Sequence, residues 1–164
     1  MSPNFLNDNL FSVYANSNKI FIETESQKYS FKEFDDLVNK IANLLIASDL
    51  SEGDRVLVKL EKSIFSFALY IASIRAGGIF VPVNNDYTAS EIDYFIENSI
   101  PYIFISNDES IKKVQNRNLK TFSLNSDMSG TFLENIKTQN TSFVPVERKK
   151  NDIASILYTS GTTG

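Results

Sequence analysis

Thr159-Ser160-Gly161-Thr162-Thr163-Gly164 places four hydroxyls and two glycines in six consecutive positions, directly after the apolar run Ile153-Ala154-Ser155-Ile156-Leu157-Tyr158. Hydroxyls donate hydrogen bonds without depending on pH. Glycine takes left-handed backbone conformations at little cost, which lets successive N–H groups turn inward and form a concave nest around an anion. The combination suits phosphate, above all the β- and γ-phosphates of a nucleotide. Thr159, Ser160, Gly161, Thr162, Thr163 and Gly164 are therefore the candidate binding residues. The same cluster also reads as a plain polar turn after a strand. It is not a Walker A loop, because the G-x-x-x-x-G-K-[ST] spacing is missing, and a P-loop nucleotidase is disfavoured.

The rest of the composition narrows the chemistry. The chain has no histidine and no cysteine, which excludes thiol nucleophiles, Cys/His zinc sites, histidine bases and Ser-His-Asp triads within it. No catalytic residue and no metal ligand is assigned. A net charge of -4 and a pI near 4.9 argue against nucleic acid or an anionic membrane as the main partner. The amino-terminal residues lack a basic n-region and a long apolar h-region. The longest apolar stretch, Ile64 to Ile74, is broken by Ser66 and Ser73 and is too short to span a bilayer. Absence of cysteine fits a reducing compartment. These features predict a soluble, cytoplasmic protein acting on small molecules.

Something must hold the hydroxyl loop in place, and the upstream pattern predicts what. With 164 residues, 42% of them hydrophobic, the chain can bury a core as one domain without staples. Residues 125–151 are its most polar part. Phe34, Leu37, Val38, Ile41, Leu44 and Leu45 recur at helical spacing behind the capping-box sequence Ser30-Phe31-Lys32-Glu33, predicting a helix over 31–48. Short β-branched runs follow at 55–60, 79–83, 102–105 and 153–158. Between them lie helical patterns at 63–76 and, after the second capping box Thr88-Ala89-Ser90-Glu91, from 88 to Pro101. Weaker signals give a helix near 109–116, a strand at 121–124 and a helix at 131–138. This alternation predicts an α/β fold in three layers, a largely parallel central sheet flanked by helices. The helix at 63–76 has little polar face and is expected to be buried nearly all round.

At this point the sequence resembles a known superfamily. Ile156-Leu157-Tyr158-Thr159-Ser160-Gly161-Thr162-Thr163-Gly164 is similar to the phosphate-loop signature of acyl-CoA synthetases, peptide-synthetase adenylation domains and luciferases. Tyr29-Ser30-Phe31-Lys32-Glu33-Phe34 and Ile74-Arg75-Ala76-Gly77-Gly78-Ile79-Phe80-Val81-Pro82-Val83-Asn84 resemble two further landmarks of that superfamily, in the right order. Each also reads as ordinary scaffold, the first a helix cap and the second a helix end. A narrower resemblance, to malonyl-CoA synthetases, rests on Glu61-Lys62-Ser63, Leu69-Tyr70-Ile71-Ala72, Asn84-Asn85-Asp86-Tyr87-Thr88 and Glu91-Ile92-Asp93-Tyr94-Phe95-Ile96. Taken singly, Ser63 is a cap, Asn84-Asn85-Asp86 a loop, and Tyr94 and Phe95 core aromatics.

The resemblance implies that residues 1–164 are the amino-terminal portion of an AMP-binding domain, cut within its phosphate loop. It implies ATP, Mg2+ and coenzyme A as cofactor and co-substrates, and a carboxylic acid, with malonate the leading choice, activated as an acyl-adenylate and passed to the thiol. Two alternatives stay open: an amino-acid-activating domain, and a non-catalytic interaction module. The 164-residue piece by itself is expected to be inactive and to self-associate.

Overall fold

A computed structural model describes residues 4–12, 15–24, 27–115 and 117–159. In chain order the elements are α1 (Phe5–Leu10), β1 (Ile20–Glu23), β2 (Lys28–Ser30), α2 (Phe31–Ala47), β3 (Arg55–Val58), α3 (Ile64–Arg75), β4 (Ile79–Pro82), α4 (Ala89–Ser99), β5 (Ile103–Ser106), α5 (Asp108–Lys113), β6 (Lys120–Ser123) and α6 (Thr131–Lys137).

The short apolar runs form one parallel sheet in the order β4-β3-β5-β6. Alternation along each strand sends Val56, Val58, Phe80, Ile103, Ile105 and Phe122 to one face, where α2, α3 and α6 cover them. Leu57, Ile79, Val81 and Phe104 point to the other, against α4 and the end of α5. Both faces are buried, which is why these strands read as continuous apolar runs. The layered α/β architecture expected from the sequence is present.

Both predicted capping boxes form. Ser30 Oγ accepts from the Glu33 N–H at 3.2 Å, while Glu33 Oε2 accepts from the Ser30 N–H at 2.8 Å. Thr88 and Glu91 repeat the exchange at the start of α4. Ser63 caps α3 in the same reciprocal way with Ser66.

Two expectations need correction. The carboxyl-terminal part of α3 is buried, but its first turn is not, and Phe67 is 37% exposed. That turn faces an open groove at the carboxyl ends of β3 and β4. The run 153–158 is not a full strand. It makes a single parallel bridge, Ser155 with Phe80, closed by Phe80 N–H to Ala154 O at 3.0 Å and Ile156 N–H to Phe80 O at 3.0 Å. Among the described residues it lies outermost beside β4 with one covered side, and Ile153 and Leu157 are 57% and 68% exposed.

The antiparallel pair β1–β2 and the six-residue α1 have no periodic signal in the sequence. α1 is tied down by tertiary contacts. Buried Arg75, near the end of α3, donates from Nε to Asn7 at 2.7 Å, from one terminal nitrogen to Asn39 at 2.6 Å, and from the other to Asp35 at 2.6 Å. Asn4 donates to the carbonyls of Ile74 and Val146 at 2.8 and 3.0 Å.

Candidate functional site

The polar stretch after α6 crosses the outside of the domain before it reaches the sheet. Side-chain amides hold it: Asn39 donates to Thr141 O at 2.9 Å, and Asn43 to Asn140 O and Ser142 O, each at 2.9 Å. Val146 then donates its N–H to Arg75 O at 2.8 Å and packs over Gly77. Gly77 has φ of 79°, and a Cβ there would sit 2.8 Å from Val146 Cγ1, so both the helix end and the crossing chain require glycine. Arg148 bridges to Glu52 at 2.9 Å. From this point the chain runs along β4 and parallel to it, so residues 153–158 travel toward the carboxyl edge of the sheet.

Thr159 therefore emerges, exposed, on the side of the sheet where strands of a parallel α/β fold deliver ligand-binding loops. Of the predicted site residues it is the one the structure describes. Ser160, Gly161, Thr162, Thr163 and Gly164 lie outside the described residues. Just before it, Tyr158 turns inward. Its ring lies 4.6 Å from that of Phe95 and 6.3 Å from that of Tyr94, and its hydroxyl donates to Asn98 Oδ1 at 2.6 Å.

The same edge carries two clefts that sequence reasoning did not find. The helix following β3 covers one face of the sheet and the helix following β5 covers the other. Neighbouring strands whose connections leave to opposite faces leave a crevice between their carboxyl ends. A cleft of about 290 Å³ occupies that place, lined by Lys59, Lys62, Asn107, Glu109 and Asn125 among others. A wider groove of about 710 Å³ opens beside it over Leu60, Ser63, Phe67, Tyr70, Phe80 and Asn85. The signal for both was strand order, which local periodicity does not carry. The rim is electrostatically mixed. Asn125 and Ser123 hold the Asp108 carboxyl below its usual range, and Lys113 does the same for Glu109.

Donors without carboxylates, as at 159–164, suit a phosphate group rather than a cation. Among the described residues no three of His, Cys, Asp and Glu converge as a metal site, so Mg2+ is assigned to no side chain. Among the described residues no helix is long and apolar enough to cross a membrane.

A parallel sheet covered by helices on both faces, with Thr159 exposed at its carboxyl edge, defines a layered α/β class of fold. The chain belongs to the AMP-binding enzyme family, which it matches over residues 12–164. Its relatives include gramicidin S synthase 1 of Brevibacillus brevis, 26% identical over 152 residues, a match covering 93% of this chain and 13% of that protein. The mitochondrial acyl-coenzyme A synthetase ACSM3 of Rattus norvegicus is 31% identical over 147 residues, covering 84% of this chain and 25% of that protein. Among solved structures, ATP-bound MatB from Rhodopseudomonas palustris superposes with a TM-score of 0.92 at 34% identity, over 100% of this chain and 33% of that one. The chain thus spans a third or less of these relatives.

Proposed function

We propose that this chain is the phosphate-loop-bearing part of an ATP-dependent acid–thiol ligase, which activates a carboxylic acid as its acyl-adenylate and transfers the acyl group to coenzyme A. The observation that supports the reading is the position of Thr159, exposed at the carboxyl edge of the sheet beside two clefts, with Ser160-Gly161-Thr162-Thr163-Gly164 next in the sequence. In the first half-reaction a carboxylate attacks the α-phosphate and pyrophosphate leaves, so two anions must meet. Hydroxyl and amide donors aimed at the departing phosphates stabilise the charge that moves onto them. The 31% identity to the acyl-coenzyme A synthetase ACSM3, against 26% to gramicidin S synthase 1, supports the acyl-CoA branch.

Malonate is the preferred acid in this reading, on the strength of the malonyl-CoA synthetase-like segments at 61–63, 69–72, 84–88 and 91–96. The test uses protein expressed from the complete gene and measures ATP–pyrophosphate exchange with malonate, methylmalonate, acetate, octanoate, an aromatic acid and the amino acids. Coenzyme A-dependent product formation is followed in parallel. Malonate is expected to lead and to yield a thioester. A clear preference for octanoate overturns the substrate assignment, and exchange driven only by an amino acid overturns the coenzyme A assignment.

A further inference from the structure

We infer that Tyr158 and Asn98 are positioning residues that fix the phosphate loop to α4, an inference resting on the phosphate-binding role proposed for residues 159–164. Among the described residues, the last backbone hydrogen bond from the 153–158 segment to the sheet is Ile156 N–H to Phe80 O at 3.0 Å. Leu157 and Thr159 point outward and are exposed. Between that bond and the loop, Tyr158 is the one side chain turned into the domain. It is held twice, by the ring contact with Phe95 at 4.6 Å and by the hydroxyl bond to Asn98 Oδ1 at 2.6 Å.

The anchor reaches a rigid support. Phe95 is buried in the core on the α4 side of the sheet and also meets Tyr87 at 4.9 Å. α4 itself is fixed at its start by the Thr88–Glu91 capping box and at its end by Arg55, whose Nε donates to Ser99 O at 2.7 Å. A segment with one bridge to an edge strand pivots about that bridge unless something further along holds it. Displacement of a binding group by about 1 Å is enough to cost a reaction heavily. The Tyr158–Asn98 bond supplies the second point of attachment, directly before Thr159.

The experiment uses protein from the complete gene and two readouts, steady-state ATP–pyrophosphate exchange and hydrogen–deuterium exchange of the amides at 156–164. Tyr158→Phe, which keeps the ring and removes the hydroxyl, is expected to raise KM for ATP about three- to tenfold, the range set by one neutral hydrogen bond. It should change kcat less and speed loop amide exchange at least about threefold. Asn98→Ala should do the same. The double variant should match either single one, because both remove a single interaction. A purely structural role would lower the unfolding midpoint and leave KM for ATP alone. Thr163→Val separates the two readings. If it abolishes exchange while Tyr158→Phe leaves both KM and amide exchange unchanged, the positioning role is wrong and the phosphate loop stands. If the unsubstituted protein shows no nucleotide-dependent exchange with any acid, the phosphate-loop reading falls. In that case the amide exchange of Tyr158→Phe still decides the attachment, with unchanged rates overturning it.

Discussion

In the proposed function Thr159 and Thr163 each donate one hydrogen bond to charge that develops on pyrophosphate. Valine keeps the branched shape and removes the donor, so Thr159→Val and Thr163→Val should each lower pyrophosphate exchange by about 10- to 1,000-fold. The loss must appear in adenylate formation and not in thiol transfer alone, which single-turnover assays with preformed acyl-adenylate separate. Of the candidate site, type and spacing define the hydroxyl cluster in the sequence itself, and all of it after Thr159 lies outside the described residues. Arg75 was not legible there, since its role depends on bringing together Asn7, Asn39 and Asp35 from two other helices. Removing a buried guanidinium leaves those partners without their donor. Arg75→Met is expected to cost about 3 kcal/mol in urea unfolding, near the lower end for breaking a buried ion pair. Ile100 is the opposite case. This β-branched residue holds φ of 46° at the end of α4 and is 68% exposed, so its side chain gains little from its place. Ile100→Asn should stabilise the protein by about 1 kcal/mol, because asparagine tolerates the left-handed region that isoleucine resists.

At the scale of elements, the helix starts were the most legible features, since a capping box is local and its four residues suffice to recognise it. Ser30→Ala should cost about 1 kcal/mol, the usual worth of an N-cap. The same boxes give α2 and α4 a pH dependence. The Ser30 backbone N–H and then its hydroxyl hold the Glu33 carboxyl below its ordinary range, and the Thr88 hydroxyl and then its backbone N–H do so for Glu91. A carboxyl depressed in the folded state contributes stability above its unfolded value, and that contribution is lost as pH falls through the folded one. Fraying of both helix starts is therefore expected only below about pH 4.3, the ordinary glutamate value. Amide exchange of residues 31–34 and 89–92 between pH 6 and 3 checks it. Loss of protection beginning near neutrality would contradict the assignment. Elements fixed by distant contacts were not legible. β1 shows the pattern of an exposed hairpin, with Ile20 at 54% and Phe21 at 37% exposure. The chain over 138–152 has no repeating conformation, and Asn39, Asn43, Asn4 and Arg75 hold it through carbonyls and amides. The 153–158 run was misread as a full strand because an apolar stretch looks alike at the centre and at the rim of a sheet.

For the whole molecule, the decisive fact is that the chain covers a third of the MatB chain it superposes on. A polypeptide of these 164 residues, produced alone, should therefore form the parallel sheet and its helices but not carry out adenylation. Two physical requirements fail together. In that polypeptide the hydroxyl run ends directly in a free carboxylate at Gly164, a negative charge that opposes the binding of phosphate. The clefts at the carboxyl edge are open to water, so attacking carboxylate and ATP cannot be held in line at the separation that makes such a step fast. The outer side of β4 meets only the single bridge at Ser155 among the described residues, next to exposed Ile153 and Leu157. An edge strand with apolar neighbours invites pairing with another copy. The isolated polypeptide is expected to show a native-like far-UV spectrum, a solution mass above that of a monomer at micromolar concentration, and pyrophosphate exchange at background. Ile153→Lys with Leu157→Lys should restore the monomer, because charge on an edge opposes pairing. Carboxylate-dependent exchange from a monomeric 164-residue polypeptide would show that this third of the relatives' length suffices for the chemistry.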